Sequence, residues 1–234
     1  MAKIVILVLA YNEERSLNYV ISRIPSKILG FSPDIILVND GSTDHTAKIG
    51  RDMGIDVVSH KKNMGLGVTI RTGLSAALKK NPDVIVHLDG DGQYRPEEIP
   101  KLVSFLLKNN FDLVLGTRFK NLNYKMPIVK NLGNRLVSFF IRHLTRTRIS
   151  DTQTGFRAMT PKLAKFMVHN LKGTYTYTQE MVLHAVLNGY KVGEIPLSFD
   201  KRMHGESRLI LNLFSYLFKV GIIVIKTLIH YLIN

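Results

Sequence analysis

Short apolar runs alternate with segments of helical spacing along the first half of the chain. The runs Ile4–Leu9 and Ile35–Val38 are rich in β-branched residues and are typical of buried strands. Between them, Arg15–Ile24 spaces its Leu, Val and Ile residues at helical intervals. The alternation continues with predicted strands at Asp56–Ser59, Val84–Leu88 and Leu113–Leu115, and with predicted helices that end at Asp52 or cover Val68–Lys79 and Pro96–Asn109. This order predicts an α/β protein whose mainly parallel sheet is covered by helices on both faces.

The pattern is looser after residue 119. Lys120–Pro127 is polar and predicts a loop, and Asp151–Arg157 is rich in turn-forming residues. Further helices are predicted at Lys130–Leu144, Pro161–His169 and Thr178–Asn188, and a strand near Val192–Phe199. We therefore divide the chain into residues 1–119, residues 120–208 and a distinct apolar segment, residues 209–234.

The segment 209–234 is far more apolar than the rest of the chain, but Lys219 and Lys226 interrupt it. It contains no uncharged run near the ~20 residues that a membrane span requires. On a helical wheel its polar residues fall within one stripe, at Asn212, Ser215, Lys219, Lys226, His230 and Asn234. Two interpretations stay open. We favour an amphipathic helix, or helix pair, in one membrane leaflet with Lys at the headgroups; the alternative is a core or oligomer helix.

Basic residues outnumber acidic ones by 32 to 18, which gives a formal charge of +14. Residues 1–119 hold 15 basic and 13 acidic residues, whereas residues 120–234 hold 17 and 5. This asymmetry favours a polyanionic partner for the second half: nucleic acid, an anionic membrane or phosphorylated small molecules. The alternative is a solvated basic surface with no partner. The chain has no Cys, which excludes disulfides, zinc fingers, iron–sulfur clusters and a cysteine nucleophile.

Polar motifs follow three of the predicted strands. Tyr11-Asn12-Glu13 follows the first strand, Asn39-Asp40-Gly41 the second and Asp89-Gly90-Asp91 the fourth. Ligands of open α/β sheets bind beyond the carboxyl ends of the strands. We therefore expect these three motifs to form one site.

The segment Asp89-Gly90-Asp91-Gly92-Gln93 places two carboxylates and an amide oxygen at a strand end. Mg²⁺ prefers such oxygen ligands, and it commonly takes one or two carboxylates together with substrate phosphates. An EF-hand is a poor alternative, because Tyr94 and Pro100 stand where its loop requires Gly and Glu. The alternative is that an Asp caps the following helix, although capping needs only one carboxylate.

Two further segments carry weaker signals. Asn63–Gly67 is rich in Gly but matches neither a Walker loop nor the dinucleotide fingerprint, so it predicts a backbone cradle or a mobile turn. In Asn39–Asp44, Ser42 or Thr43 can cap a helix, whereas Asp40 can accept hydrogen bonds from a base or a ribose.

Together these motifs resemble glycosyltransferase family 2, which has the GT-A fold. The matching segments are Tyr11–Glu13, Asn39–Asp44, Asp89–Gln93, Gly116–Arg118, Asp151–Arg157, Gln179–Glu180 and Arg202–Ser207. They cover residues 1 to about 208. Within the family the chain is most similar to polyprenyl-phosphate (dolichyl-phosphate) glycosyltransferases, through its Gly-Phe-Arg and Arg-x-x-Gly-Glu-Ser segments. The Gln-x-x-Arg-Trp signature of processive synthases is absent, since the chain has no Trp.

The resemblance implies a role for each matched residue. Nucleotide-sugar binding falls to Leu9, Tyr11, Glu13, Asn39, Asp40, Arg71, Asp89 and Gly90. The metal ligands are Asp91 and Gln93, with Asp89. Phosphate or acceptor binding falls to Arg118, Lys130, Arg202, Ser207 and Arg208. The catalytic candidates are Asp91, Arg118, Asp151 and Glu180; the last two are the candidate general bases, and the alternative for Asp151 is a turn or an Arg partner. The chain departs from the common pattern at Asn39, Gly90 and Gly92.

The resemblance also implies an activity. We expect an inverting enzyme that uses Mg²⁺ or Mn²⁺ to transfer one hexose from a nucleotide diphosphate sugar, UDP-sugar before GDP-mannose, to a polyprenyl or dolichyl phosphate. Residues 1–119 would bind donor and metal, and residues 120–208 the acceptor, at the cytoplasmic face of the cell membrane. The alternative is a soluble or polysaccharide acceptor. A nucleic-acid-binding module is the remote alternative, because the basic half lacks a helix–turn–helix or RNA-binding signature; an oligomer is compatible with the sequence.

Overall fold

The computed structural model describes residues 3–118, 138–139, 141–143, 147, 149–173, 176–200, 221–222 and 227. Its strands are β1 (Ile4–Ala10), β2 (Asp34–Asn39), β3 (Asp56–Ser59), β4 (Val84–Asp89), β5 (Leu113–Thr117), β6 (Arg157–Met159) and β7 (Val192–Pro196). Its helices are α1 (Leu17–Ser22), α2 (Thr46–Asp52), α3 (Leu66–Leu78), α4 (Ile99–Lys108), α5 (Pro161–Asn170) and α6 (Tyr177–Leu187), with a 3₁₀ turn at Pro96–Glu98 before α4.

The strands form one sheet in the spatial order β3-β2-β1-β4-β6-β5-β7. The seven apolar residues of β1 are all buried, because β1 lies between β2 and β4 and helices cover both faces. The pairs β1–β2, β1–β4, β2–β3 and β5–β7 are parallel. The carboxyl ends of β1, β2 and β4 therefore meet at one edge of the sheet.

Helices pack on both faces of the sheet. Apolar residues of α3, α5 and α6 join one core with β1 and β4 residues such as Leu7 and Ile85. Apolar residues of α1 and α4 join the other core with Ile6 and Val86. Odd and even positions of each strand thus supply different cores, as the pleat of a sheet requires. The predicted α/β class, with helices on both faces, is confirmed.

Strand β6 was not predicted. It begins at Arg157, the last residue of the segment predicted to be turn-rich, and it runs antiparallel to both neighbours, β4 and β5. The other described strands and helices occur where the hydrophobic pattern placed them, with ends shifted by up to three residues. The predicted strand near Val192–Phe199 is shorter and ends at Pro196.

Three predicted segments lie wholly or largely outside the described residues: the loop Lys120–Pro127, the helix Lys130–Leu144 and the amphipathic segment 209–234. Both interpretations of segment 209–234 therefore stay predictions. Across the part of the chain that the structure describes, no helix has the length and apolarity needed to cross a membrane.

Candidate functional site

The polar motifs after β1, β2 and β4 lie side by side, as the sequence predicted. Leu9 pairs in register with Asp89 of β4, and Ala10 with Asn39 of β2. Just beyond the strands, the Asp40 N–H donates to the Ala10 carbonyl at 2.9 Å and the Gly90 N–H to the Leu9 carbonyl at 2.8 Å. The Leu9 side chain belongs to the core, so its backbone is the part that faces this edge.

The loops after β1 and β2 are joined by reciprocal hydrogen bonds, which we call the β1–β2 clasp (residues 12–14 with residues 42–46). The Asn12 N–H donates to Ser42 Oγ at 2.9 Å, and the Thr43 N–H donates to Asn12 Oδ1 at 2.8 Å. The Glu14 N–H donates to Asp44 Oδ2 at 3.2 Å. Asn12 has a φ of 56°, in the left-handed region that Asn tolerates. The clasp fixes the backbone around Tyr11 and Glu13, the predicted nucleoside-binding residues.

The carboxylates of the clasp are stabilised in their charged forms. Burial raises the pKa of Asp44, but hydrogen bonds from Thr46 and from the Glu14 N–H outweigh it and hold the pKa below its ordinary value. The pKa of Glu14 is also lowered, first by the His45 backbone N–H. The Thr46 hydroxyl donates to Asp44 Oδ1 and accepts from the Glu13 N–H at 2.8 Å. Both loops are therefore held by charge-assisted hydrogen bonds.

Asp40 is buried and binds the Gly-rich segment of the same chain. Its Oδ1 accepts from the Met64 N–H at 2.8 Å and its Oδ2 from the Gly65 N–H at 2.9 Å. His60 Nδ1 lies 2.7 Å from Asp40 Oδ1, and His60 Nε2 lies 2.9 Å from Thr72 Oγ1 on α3. Asp40 thus anchors the turn that begins α3, a role that the sequence did not reveal. Its direct contact with a nucleoside stays a prediction.

Asn39 and Gly41 also fix this edge of the sheet. Asn39 Nδ2 donates to Ser59 Oγ on β3 at 3.1 Å, and Asn39 Oδ1 accepts from the Ser42 N–H at 3.1 Å. Gly41 has a φ of +69°, and a Cβ there would lie 2.2 Å from the Lys62 carbonyl carbon. Only Gly permits the backbone at position 41 to lie this close to the backbone of Lys62. Asn39, which was predicted to bind the donor, therefore also ties the end of β2 to β3 and to the loop that follows β2.

The segment Asp89–Gln93 turns tightly beyond β4. Asp91 is 6% exposed, and its Oδ1 accepts from the Gln93 N–H at 3.0 Å. The Gly90 carbonyl accepts from Ser16 Oγ at 2.7 Å. A Cβ on Gly90 would lie 3.2 Å from the Ala10 Cβ, tighter than most such contacts. The turn holds both Asp side chains at the strand edge where the three motifs meet.

The donor atoms of this turn fit a divalent metal that a ligand helps to hold. Asp89 and Asp91 offer carboxylates and Gln93 an amide oxygen, which are hard ligands. No group of three or more His, Asp or Glu side chains able to bind a metal occurs in the described parts of the chain. Magnesium commonly accepts such an incomplete set and completes its shell with phosphate oxygens and water.

Arg118, which follows the carboxyl end of β5, forms a buried ion pair with Asp151. Arg118 Nε lies 2.7 Å from Asp151 Oδ2 and Arg118 Nη2 lies 2.7 Å from Asp151 Oδ1, a bidentate geometry. Asp151 is fully buried and Arg118 is 8% exposed. The Glu194 carboxylate of β7 accepts from the Asp151 N–H at 2.8 Å and from the Ser150 N–H. The Arg partner that was the alternative for Asp151 is therefore present. The role of Asp151 as a base stays a prediction.

Glu180, the other candidate base, is buried in the first turn of α6. Its Oε1 accepts from the Lys172 N–H at 2.8 Å and its Oε2 from the Gly173 N–H at 2.7 Å. His184 Nε2 lies 3.8 Å from Glu180 Oε1. The carboxylate thus holds the turn that follows α5, and its role as a base stays a prediction.

The remaining predicted site residues are separated from this cluster or not described. Arg71 of α3 donates from Nη1 to the Leu171 carbonyl at 3.2 Å, which ties α3 to the end of α5. The predicted acceptor-binding residues outside the described part of the chain are Lys130, Arg202, Ser207 and Arg208.

Tyr94 joins the Asp89–Gln93 turn to residues 150–156, which we call the acceptor-side loop. The Tyr94 hydroxyl accepts from the Gly155 N–H at 2.7 Å. A Cβ on Gly155 would lie 3.1 Å from Asp89 Oδ2 and 3.4 Å from the Tyr177 hydroxyl. Burial raises the pKa of Tyr94 well above its ordinary value, and Asp89 raises it further, so the phenol is neutral. Sequence reasoning missed Tyr94 because a Tyr after a metal motif carries no signal of its own.

The chain is similar to known glycosyltransferases in both sequence and fold. A family model described as glycosyl transferase family 2 matches residues 5–169. The chain is 29% identical, over 83% of its length and 84% of the relative, to a UDP-N-acetylglucosamine–dolichyl-phosphate N-acetylglucosaminyltransferase of Methanococcus voltae. It is also 29% identical to a dolichyl-phosphate hexose transferase of Haloferax volcanii, over 85% of its length and 83% of the relative.

A solved structure shares the fold. Glucosyl-3-phosphoglycerate synthase of Mycobacterium tuberculosis, in complex with Mg²⁺ and UDP, superposes with a TM-score of 0.75 at 21% identity. The match covers 97% of this chain and 79% of that one. The sheet with helices on both faces is therefore of the GT-A type.

Proposed function

This chain belongs to glycosyl transferase family 2 and is a nucleotide-sugar glycosyltransferase, and from that premise we propose that it transfers one hexose, with inversion, to a polyprenyl phosphate at the cytoplasmic face of the membrane. The observation that carries the proposal is the similarity to two transferases named for dolichyl phosphate, over more than four fifths of each chain. The strand-edge site agrees with it. Asp89 ends β4 and Arg118 follows β5, and because both strands run antiparallel to β6, these two residues lie at the same edge of the sheet.

On the donor side, the residues fit a nucleotide diphosphate sugar with Mg²⁺ or Mn²⁺. Asp89, Asp91 and Gln93 would hold the cation, which when bound neutralises charge on the diphosphate leaving group. The Gln93 N–H orients Asp91 at 3.0 Å, so the ligand set is organised before the donor arrives. The clasped loops around Tyr11 and Glu13 would bind the nucleoside, with a UDP-sugar as the first expectation.

On the acceptor side, Arg118 would bind a phosphate. Asp151 fixes the guanidinium with two hydrogen bonds of 2.7 Å, so little side-chain entropy is lost when an anion binds. A lipid phosphate is already anionic near neutral pH, because its second pKa is about 6. Such an acceptor needs positioning and charge relief more than a strong base. That agrees with Asp151 and Glu180 both being occupied by hydrogen bonds within the protein.

The membrane location rests on charge and on the C-terminal segment. Residues 120–234 hold 17 basic and 5 acidic residues, which favours an anionic leaflet. Segment 209–234 combines an apolar surface with a polar stripe that contains Lys219 and Lys226. Together these features would keep the acceptor phosphate near the strand-edge site.

A transfer assay with the full chain tests the proposal. Labelled UDP-glucose, UDP-N-acetylglucosamine and GDP-mannose are each offered with dolichyl phosphate in mixed micelles, with Mg²⁺, Mn²⁺ or a chelator. We expect label in the lipid fraction with at least one UDP-sugar and loss of transfer in the chelator. A parallel reaction offers 3-phosphoglycerate. Transfer to this soluble acceptor and none to lipid would overturn the lipid assignment; the anomeric configuration of the product tests inversion.

A further inference from the structure

Arg157 is a fully buried cation that neither the motifs nor the comparisons assign to a task. It begins β6, and its side chain has 0% exposure. Nε donates to the Thr154 carbonyl at 2.9 Å and Nη2 to the Thr152 carbonyl at 2.9 Å. The planar guanidinium therefore donates hydrogen bonds to two carbonyls of the acceptor-side loop at once.

The acceptor-side loop, to which Arg157 donates, links Arg118 to the Asp89–Gln93 turn. At one end, Asp151 pairs with Arg118, the predicted anion-binding residue. Near the other end, the Gly155 N–H donates to Tyr94, which follows the predicted metal ligands. The carbonyls of Thr152 and Thr154 lie between these two attachments in the chain. A displacement of this short stretch would change where Arg118 lies relative to the Asp89–Gln93 turn.

The sheet holds Arg157 itself in place. Strand β6 is hydrogen-bonded on both sides, and Arg157 lies opposite His87 of β4 and Leu115 of β5. His87 is two residues before Asp89, so Arg157 is anchored to the strand that carries the metal motif. Burial lowers the pKa of Arg157 to about 10, which leaves the guanidinium charged at neutral pH. Asp151 and Asp89 act in the opposite sense and favour the charged form.

Burying a charge costs several kcal/mol, and apolar residues of similar volume often give an equal or greater stability. The hydrogen bonds of Arg157 go to a loop at the site and not to a remote part of the fold. We propose that Arg157 is a positioning residue of the transfer reaction: it fixes the acceptor-side loop and thereby sets the Arg118–Asp151 pair against the Asp89–Gln93 turn. The kinetic part of this proposal rests on the proposed function.

The central test replaces Arg157 by Lys in the full chain. Lys keeps the charge but cannot donate to two carbonyls in a fixed fork. We expect kcat to fall at least about tenfold while the KM for the donor changes less than about twofold, since the nucleoside loops are held by other contacts. Arg51→Lys, at an exposed position of α2, is the matched control and should behave as the wild type. A kcat within about twofold of wild type would overturn the proposal.

Hydrogen exchange supplies a readout that needs no substrate. In Arg157→Lys, the amides of residues 152–156 should exchange at least about tenfold faster, while the amides of β1, β2 and β3 keep their protection. Equal loss of protection in all strands would mean general destabilisation and would count against positioning. If Lys prevents folding, Arg157→Gln, which donates hydrogen bonds without a buried charge, undergoes the same two measurements with the same criteria.

The two proposals fail in different ways. A wild-type chain that transfers no sugar to dolichyl phosphate, together with faster exchange in residues 152–156 of the variant, refutes the acceptor assignment and keeps the structural role of Arg157. An active wild type with an equally active variant refutes the positioning role alone. Arg118→Lys combined with Arg157→Lys should lose no more kcat than the worse single variant, because both act through one loop.

Discussion

Several carboxylates among the predicted site residues accept hydrogen bonds from the protein itself. Asp40 accepts two backbone N–H groups of the Gly-rich segment, and Glu180 accepts two in the turn after α5. Asp151 is occupied by Arg118. A carboxylate bound in this way orients its partners, because losing any one of these hydrogen bonds leaves a buried polar group unsatisfied. Asp91 Oδ1 accepts from the N–H of Gln93, within the Asp89–Gln93 turn.

Asp91→Asn tests the predicted metal role. Asn preserves shape and the hydrogen bond from Gln93, but it removes the negative charge that a divalent cation needs. We expect kcat/KM to fall at least about a hundredfold with an unchanged unfolding midpoint. Asp52→Asn is the matched control, because Asp52 lies on the surface of α2 in an exposed pair with Lys48. Full activity of Asp91→Asn would exclude Asp91 as a required ligand.

The Arg118–Asp151 pair makes a prediction about stability. Arg118→Ala leaves the fully buried Asp151 carboxylate without its guanidinium, and the free energy of unfolding should fall by about 3 kcal/mol. Adding Asp151→Asn removes the buried charge and should recover at least about 1 kcal/mol of that loss. Urea unfolding at neutral pH measures both variants. A double variant less stable than Arg118→Ala would show that charge burial is not the cause.

At the scale of elements, the hydrophobic pattern predicted the strands whose positions depend on burial against helices. Strands β1, β2 and β4 are nearly uninterrupted apolar runs, because each is covered on both faces, and their positions follow directly from the sequence. The three polar motifs at their ends were predicted to meet for the same reason. Strand β6 has only three residues and begins with a charged Arg, so no pattern of period two could reveal it.

The hydrogen bonds that hold the loops could not be predicted in the same way. His60 is twenty residues from Asp40, and Glu194 is more than forty residues from Ser150. Such pairs depend on which loops the folded sheet brings together, and no local spacing encodes them. The juxtaposition of the polar motifs at the strand ends was therefore predictable from the sequence, whereas the contacts that support them required the tertiary structure.

The β1–β2 clasp predicts a dependence on acid. Because the pKa of Asp44 in the folded protein is lowered, its stabilising effect is complete above its ordinary pKa of 3.8 and is lost as pH falls below that value. Asp44→Asn removes this titration. We expect the free energy of unfolding, measured in urea between pH 6 and pH 3, to fall less steeply for the variant. Parallel curves for the two proteins would contradict the assignment.

At the scale of the whole molecule, charge and chemistry divide along the chain. The nearly balanced residues 1–119 hold the carboxylates of the strand edge, and the basic residues 120–234 follow them. A surface that meets a lipid phosphate and an anionic leaflet needs this excess of positive charge. Nucleic acid, which net charge alone admits, has no support from the described fold.

Charge reversal in the C-terminal segment tests the membrane interpretation. Each Lys near an anionic surface contributes about 1 kcal/mol to binding, so Lys219→Glu with Lys226→Glu should weaken vesicle binding at least about tenfold. Flotation with vesicles that contain anionic lipid measures the effect in the full chain. Lys162→Glu with Lys165→Glu, on α5, is the control pair and should bind more tightly than the test pair. Equal flotation of wild type and test pair would favour the core or oligomer helix.

The antiparallel placement of β6 has a consequence for how new versions of this protein could arise. Strand β5 leads into residues 118–156, and β6, which ends that excursion, pairs directly with β5 at Leu115 and Arg157. The departure and return points are thus adjacent in the sheet, about 4.8 Å apart. The entropy cost of closing a segment between two neighbouring positions grows only slowly with the length of the segment. The number of residues between Arg118 and Ser150 can therefore vary at little cost in stability. The return into β6 cannot, because Asp151 and Gly155 are fixed by hydrogen bonds to the rest of the fold.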